Sequence, residues 1–277
     1  MTRSDVTAKE AVRRQYGAVG DAYVRSVGHA TGPDLARMVE VARPSPTDRL
    51  LDLATGGGHV ARVFAPHVAS VVASDLTPEI LAHARRAFAA WGLTNVATAV
   101  ADAERLPFAG GAFDIVTCRI APHHFPRPGR FVAEAWRVLR PGGRLVVVDS
   151  TVPDGEAGAF FNRVEKRRDP SHVRSLTVGE WQELLRGAGF RVDVVESFAK
   201  RHDFADWTAR SRTGEEDREA LARMLVAAPE AVRRLFAVTV DPEEPGRVLG
   251  FTDTKTLFLA CRADAEGDEG WRRECPS

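Results

Sequence analysis

Between residues 49 and 150 short apolar runs alternate with amphipathic stretches, and this alternation restricts the fold more than any other feature of the sequence. RLLDLA (49–54), SVVASD (70–75), NVATAVAD (95–102), AFDIVTCRIA (112–121) and RLVVVDS (144–150) are each strand-length and almost continuously apolar. Strands with apolar side chains on both faces of the pleat must be covered on both, which predicts a parallel sheet between helical layers with right-handed crossovers. The intervening stretches read as helices. HVARVFA (59–65) starts one; Thr77-Pro78 supplies an N-cap and an N1 proline for Ile80, Leu81, Ala84, Phe88 and Trp91; and 129–140 carries Phe131, Ala135, Val138 and Leu139 up to the Pro141-Gly142-Gly143 stop.

The flanks are organised differently. Helical spacing recurs in Val12, Tyr16 and Val19, and again in Leu35, Met38, Val39 and Ala42 before Pro44 and Pro46. After residue 151 the pattern predicts a polar helix over 156–168, an amphipathic one over 178–190, a strand over 191–198, two or three helices within 203–236 and a last strand over 254–263. These elements fit one α/β domain over 1–263, with a cofactor-binding core at 48–150 and a helical cap from 1–43 and 203–236. Residues 264–277 show no periodicity and read as a disordered tail.

The 277 residues carry 38 basic and 38 acidic groups, with residues 1–150 at +4 and the remainder at −4. No cationic surplus is available for a nucleic-acid backbone. No apolar run approaches the roughly 18 residues of a membrane span, and the opening MTRSDVTAKEAVRRQY has no apolar signal core. Cys118, Cys261 and Cys275 form no CxxC pair and no metal-ligand spacing, so neither a disulfide framework nor a metal site is expected and a reducing cytoplasm is the simplest setting.

Asp52-Leu-Ala-Thr-Gly56-Gly57-Gly58-His59-Val-Ala61 lies between the first strand and its helix, at the sheet edge where open α/β folds bind ligands. Taken alone, the loop is open to three readings. Gly56-x-Gly58-x-x-Ala61 with Asp75 satisfies a dinucleotide fingerprint and would suit an NAD-dependent oxidoreductase, and a plain glycine turn is the structural alternative. Asp52 beside the loop opposes a pyrophosphate and favours a ligand bearing ammonium and sulfonium cations. Asp102-Ala103, at the end of the third strand, adds an acid-bearing turn suited to an adenine edge.

LLDLATGGGHVA, VVASDLTPEIL, ADAERLPFAGGAFDIVTCRIAPHHF and FVAEAWRVLRPGGRLVVVDS, in this order and spacing, resemble the class I S-adenosylmethionine-dependent methyltransferases. The nearest likeness is to the type 11 small-molecule branch that includes ubiquinone/menaquinone C-methyltransferases. The resemblance implies a Rossmann-like seven-stranded, mostly parallel sheet whose last strand, TKTLFLACRA, is antiparallel. It implies S-adenosylmethionine as cofactor and S-adenosylhomocysteine as product. Asp52, Ala54, Gly56 and Gly58 would hold the methionyl end, and Asp75 the ribose hydroxyls with Leu76 against the adenine. Asp102 and Ala103 would meet the adenine amino group, and Arg119, Ile120 and Ala121 would border the sulfonium. Ala54 replaces the first glycine of the usual GxGxG.

Such an enzyme transfers a methyl group by in-line displacement in a desolvated pocket, where orientation alone is worth about 7–11 kcal/mol. The acceptor candidates are a quinone, a phenol or a natural-product intermediate; the alternative is a cofactor-binding protein on the same scaffold, a cyclase or binding module that has lost methyl transfer. His123-His124, just beyond the fourth strand, are the candidate bases, because imidazole titrates near neutral pH. Tyr16, Tyr23, His29 and His172 are candidates for the acceptor side. Arg163, Lys166, Arg167, Arg168 and Arg174, interleaved with acids, read as a solvated helix face. The even charge points to a small apolar acceptor, with no nucleic-acid or membrane partner; the expected assembly, on which charge is silent, is a monomer or a homodimer joined through the helical additions.

Overall fold

The structure, a computed structural model, describes residues 3–17 and 32–263. Its sheet runs β3 (Val96–Val100), β2 (Ser70–Asp75), β1 (Arg49–Leu53), β4 (Phe113–Arg119), β5 (Leu139–Thr151), β8 (Val248–Arg262), β6 (Phe190–Asp203), with the short β7 (Thr239–Val240) paired to β8. The first five strands are mutually parallel, and β8 is antiparallel to β5, β6 and β7. The chain leaves β1 towards β2 and later returns to its other side as β4, so the crevice beyond the carboxyl ends of β1 and β4 is the topological switch point.

Both faces of the sheet are covered, as continuous apolar strands demand. Leu51, Val116, Leu145, Val147 and Phe258 face α5 (Pro128–Val138) and α7 (Val178–Gly187), meeting Phe131, Ala135, Trp181 and Leu185. Leu50, Val71, Ile115, Val146, Val148 and Leu257 face the other layer. There α2 (Pro33–Ala42), α3 (His59–Phe64) and α4 (Pro78–Ala90) supply Met38, Phe64, Ala84 and Phe88. The segment 33–42 thus covers the sheet and takes no part in the cap. Its stripe of Leu35, Met38, Val41 and Ala42 is fully buried against β5 and β8, a better partner than a mobile rim.

The cap is a third cluster. It joins α6 (Glu156–Arg168), α8 (Phe204–Arg210), α9 (Glu215–Ala227) and α10 (Glu230–Leu235) to the projecting ends of β6 and β8. Trp207 meets Phe251 edge-on at 4.8 Å, and Phe161 stacks on Phe236 at 4.5 Å. Burying each such ring is worth about 1.5–3 kcal/mol. β6 and β8 run longer than the apolar runs 191–198 and 254–263 suggested, because the extensions carry the polar runs Lys200-Arg201-His202-Asp203 and Thr252-Asp253. α6, polar in composition, is anchored by the buried Phe161 and Val164, with Ala157 and Phe160 packed beside them. Cys118 is buried and free in β4, whereas Cys261 is disulfide-bonded, which the cysteine spacing did not indicate. Among the described residues no helix is long and apolar enough to cross a membrane. Tyr23, His29 and 264–277 lie outside the described residues, as does the side chain of Tyr16, whose backbone belongs to α1 (Arg3–Gly17).

Candidate active site

At the switch point β1 breaks into a loop that turns three times through the left-handed region: Ala54 (φ 52°), Gly56 (φ 54°) and Gly58 (φ 81°). Gly58 allows the closest approach, since a Cβ there would stand 2.3 Å from Cε1 of Phe88. Ala54 adopts a glycine conformation at a cost of about 1–2 kcal/mol, so the replacement leaves the loop geometry in place.

Two acids flank the loop, both almost fully buried. Asp52 accepts from the hydroxyls of Thr55 (2.6 Å) and Thr117 (2.9 Å). Asp75 accepts from the backbone N–H of Gly56 (3.2 Å) and Thr77 (2.9 Å). Burial pushes each carboxyl from 3.8 up to about 6, against the pull of those hydrogen bonds. Two buried carboxylates held this way suit a ligand that brings hydroxyl donors and positive charge.

The loop borders a chamber lined by Ala54, Gly56, Asp75, Leu76, Asp102, Ala103, Ile120 and Ala121, with Ile80 and Phe125 adding apolar wall. A cleft beside it is lined by Asp52, Gly56, His59 and Arg119. Of the residues expected to hold the cofactor, only Gly58 lies off both walls, where it starts α3 against Phe88. Arg119 is turned into a two-point ion pair with Asp34 of α2 (2.5 and 3.0 Å). The Asp102 carboxylate is engaged: Oδ1 accepts from Glu104 N–H (3.0 Å) and Oδ2 from Lys9 of α1 (2.6 Å). Lys9 also reaches Glu104 at 2.6 Å, so α1 is latched over the chamber by a bridge that sequence spacing did not reveal.

A second chamber adjoins the first and shares Ile120 and His124 with it. Ile120 sits between them at φ 52°. A left-handed conformation is strained for a β-branched residue, at about 1–3 kcal/mol, and strain of this kind collects at functional sites. The second chamber brings together His123, His124 and His172 with Ser150, Glu165, Arg168, Lys200, His202, Arg210, Asp253 and Lys255. Arg168, read from sequence as part of a solvated face, is folded inward onto Glu165 (2.7 Å) and over the Trp207 ring. Polar and charged groups therefore dominate a space that the composition had suggested would receive an apolar molecule.

The three histidines differ. His123 Nδ1 lies 2.6 Å from Asp149 Oδ1; a carboxylate can only accept, so Nδ1 carries the proton and Nε2 is the basic nitrogen. Asp149 is 1% exposed, and its Oδ2 has no hydrogen-bond partner among the described residues. His124, 4.2 Å from His123 between ring centroids, is lowered to about 4 by burial and by that neighbour. His172 is lowered to about 3 by the same causes, and its Nε2 lies 2.9 Å from Asn162 Oδ1. Both are therefore neutral near pH 7. Among the described residues no group of His, Cys, Asp and Glu is arranged to hold a metal ion.

Residues 51–147 match the family described as methyltransferase domain. The uncharacterized methyltransferase YcgJ of Bacillus subtilis is 32% identical over 213 residues, 76% of this chain and 84% of that one. The crystal structure of YcgJ superposes with a TM-score of 0.80 at 30% identity, covering 84% of this chain and 98% of the other. BH2331 of Bacillus halodurans C-125 superposes with a TM-score of 0.81 at 41% identity, over 84% of this chain and all of that one. The demethylmenaquinone methyltransferase of Thermus thermophilus is 41% identical over 147 residues, 52% of this chain and 66% of its own. The switch-point chamber thus belongs to an S-adenosylmethionine-dependent methyltransferase. Within that class the chain belongs to the methyltransferase-domain family shared with YcgJ, and its cofactor is S-adenosylmethionine.

Proposed function

We propose that the protein methylates the hydroxyl group of a small molecule seated in the second chamber, with His123 as general base. In this reading the switch-point chamber holds the cofactor: Asp75 accepts from the ribose hydroxyls, Leu76 and Ile80 flank the adenine, and Asp52 with the glycine loop faces the methionyl end. Ala103 and Asp102, the latter shared with Lys9, border the adenine edge. Ile120 and Ala121 stand at the passage between the chambers, where the methyl group must cross.

S-adenosylmethionine supplies an electrophilic methyl group whose transfer leaves a neutral thioether. The protein supplies alignment, dryness and a proton acceptor. A hydroxyl is a weak nucleophile until its proton leaves, and His123 Nε2 takes that proton as the new C–O bond forms and the C–S pair departs with sulfur. Asp149 holds the ring in the tautomer this requires and stabilises the imidazolium that results. The 2.6 Å contact between His123 and Asp149, at a chamber sharing Ile120 with the cofactor chamber, carries the reading.

The test compares wild type, His123→Ala and Asp149→Asn with methyl-labelled S-adenosylmethionine and a set of hydroxylated acceptors. His123→Ala lowers kcat by about 10²–10⁴-fold with cofactor affinity unchanged. Full activity in that variant, or label recovered on carbon or nitrogen, refutes the hydroxyl assignment.

A further inference from the structure

Ile120 is an expensive residue to keep at its position. Among the described residues Arg43, Ala54, Ile120, Arg212 and Ala237 are the non-glycine residues with a left-handed φ, and of these Ile120 alone is β-branched. Glycine takes a φ of 52° without steric cost, whereas two heavy branches on Cβ crowd the backbone there. Core packing does not offset the strain. The Ile120 side chain is only half-buried and joins none of the three apolar clusters formed by the described residues.

The backbone around Ile120 is pinned from three sides. Its N–H donates to Val148 O of β5 at 2.6 Å, and the following Ala121 carbonyl accepts from His124 N–H at 2.9 Å. The preceding Arg119 is fixed by its two-point ion pair with Asp34. A segment over-determined in this way can hold a branched residue in a sparsely populated conformation. Among the described residues Ile120 and His124 are the two that line both chambers. His124 is buried, with its Nδ1 3.2 Å from Ser171 Oγ. The passage between the chambers therefore has a stiff rim, with a branched apolar side chain on one side and an imidazole on the other. What the Ile120 side chain contributes lies in that passage.

We propose that Ile120 is a size filter for the transferred group, narrowing the passage so that a methyl group fits and a longer alkyl group does not. A rim that cannot relax rejects added volume, and one methylene in a fitted apolar site is worth about 10–200-fold. The same side chain keeps the sulfonium methyl from straying off the line to the acceptor and keeps water out of the gap. Ile120 takes no part in bond-making. The carbon leaves sulfur, which retains the C–S electron pair, and joins the acceptor oxygen, whose proton goes to His123. The filter rests on the cofactor occupying the switch-point chamber with its methyl group towards the second one.

Calorimetry without any acceptor tests the filter separately from the choice of acceptor and base. The ligands are S-adenosylmethionine, its S-ethyl analogue S-adenosylethionine, and S-adenosylhomocysteine, which places no alkyl group in the passage. Wild type binds the S-ethyl compound at least about tenfold more weakly than the S-methyl one. The gap shrinks in Ile120→Val and nearly closes in Ile120→Gly, a residue that the left-handed φ accepts. S-adenosylhomocysteine affinity is the same in all three proteins, which also shows that the variants are folded. Equal affinity for the S-methyl and S-ethyl compounds in wild type, or a gap that survives in Ile120→Gly, overturns the filter. Loss of S-adenosylhomocysteine affinity in the variants overturns it as well, because Ile120 would then be part of the cofactor's seat. Failure of wild type to bind S-adenosylhomocysteine overturns instead the cofactor placement on which the filter rests. The hydroxyl assignment is untouched by any of these results and is decided by the His123→Ala comparison.

Discussion

If Asp52 and Asp75 are the groups that greet the cofactor, cofactor affinity must follow their titration. Each has its carboxyl raised to about 6 by burial. Each is therefore about nine-tenths protonated at pH 5 and about one-hundredth protonated at pH 8. If only the carboxylate accepts from the ribose or faces the positive charge, one group makes affinity fall about tenfold from pH 8 to pH 5, and both together about a hundredfold. Asp75→Asn isolates one arm. Losing a hydrogen bond to a charged acceptor costs about 1.5–3 kcal/mol, or roughly 10–150-fold in affinity at pH 8. The residual pH dependence then shrinks to the roughly tenfold that Asp52 provides.

The variant also carries its own control for folding. A raised carboxyl means the folded state binds the proton more tightly than the unfolded chain, so the stability tied to this group is highest below about pH 4 and declines as pH rises to about 6. Removing the charge at pH 8 returns up to about 3 kcal/mol, at about 1.4 kcal/mol per pKa unit, against the weakened bonds from Gly56 and Thr77 N–H. Asp75→Asn is thus expected to melt at or above the wild-type temperature at pH 8 while binding poorly. The assay is calorimetric titration with S-adenosylhomocysteine at pH 5, 6, 7 and 8, with thermal unfolding alongside. Wild-type affinity that stays flat across that range, or wild-type affinity in Asp75→Asn, refutes the reasoning.

Three further outcomes are expected. Gly58→Ala puts a Cβ 2.3 Å from Phe88 Cε1 at a φ of 81°, and urea unfolding is expected to show a loss of about 2–5 kcal/mol. A loss below 1 kcal/mol contradicts the packing argument. Ala54→Gly relieves about 1–2 kcal/mol of left-handed strain and returns about 0.4–1 kcal/mol of it to unfolded-chain entropy, so the same assay should record a gain of roughly 0.5 kcal/mol. Lys255→Met strands the buried Asp253 charge and costs about 3–5 kcal/mol. Adding Asp253→Asn recovers part of that loss in a double-mutant cycle, and additive losses would show that the two residues do not interact.

The parallel half of the sheet was legible because its physics is local: β1, β2 and β4, 5–7 residues long and mostly buried on both faces, leave unbroken apolar runs. Gly92 marks a helix stop, whereas Pro141-Gly142-Gly143, which read as the next stop, lies inside β5, the helix having ended at Val138. The switch-point chamber and the cleft beside it were legible for a related reason, since Asp52, Asp75, Asp102 and Ile120 all stand at or just past strand carboxyl ends, which sequence order locates directly. The second chamber was hidden. Lys200, His202, Asp253 and Lys255 sit in polar runs with Arg201, Asp203 and Thr254, as solvent-facing segments do, and only the antiparallel pairing of β6 with β8 turns them towards Glu165 and Arg168 on α6. A whole-chain charge of zero concealed them further, because a local cluster of charged residues leaves no mark on a sum over 76 of them. One trace was present. The chain has four lysines among 38 basic residues, and Lys9, Lys200 and Lys255 all line the two chambers. The latch between α1 and Asp102 was invisible for a different reason, because it spans 93 residues of sequence with no shared motif.

The account stands on a donor in one chamber, an acceptor in the other, and His123 between them. The most direct measurement of that claim is mass spectrometry of the products formed from trideuteromethyl-labelled S-adenosylmethionine and a panel of hydroxylated acceptors, run with wild type and His123→Ala. The account predicts a labelled methyl group on the acceptor oxygen and an equal amount of S-adenosylhomocysteine from wild type, with both lost together in the variant. Label on another atom, or product of the same kind and rate from both proteins, would contradict it.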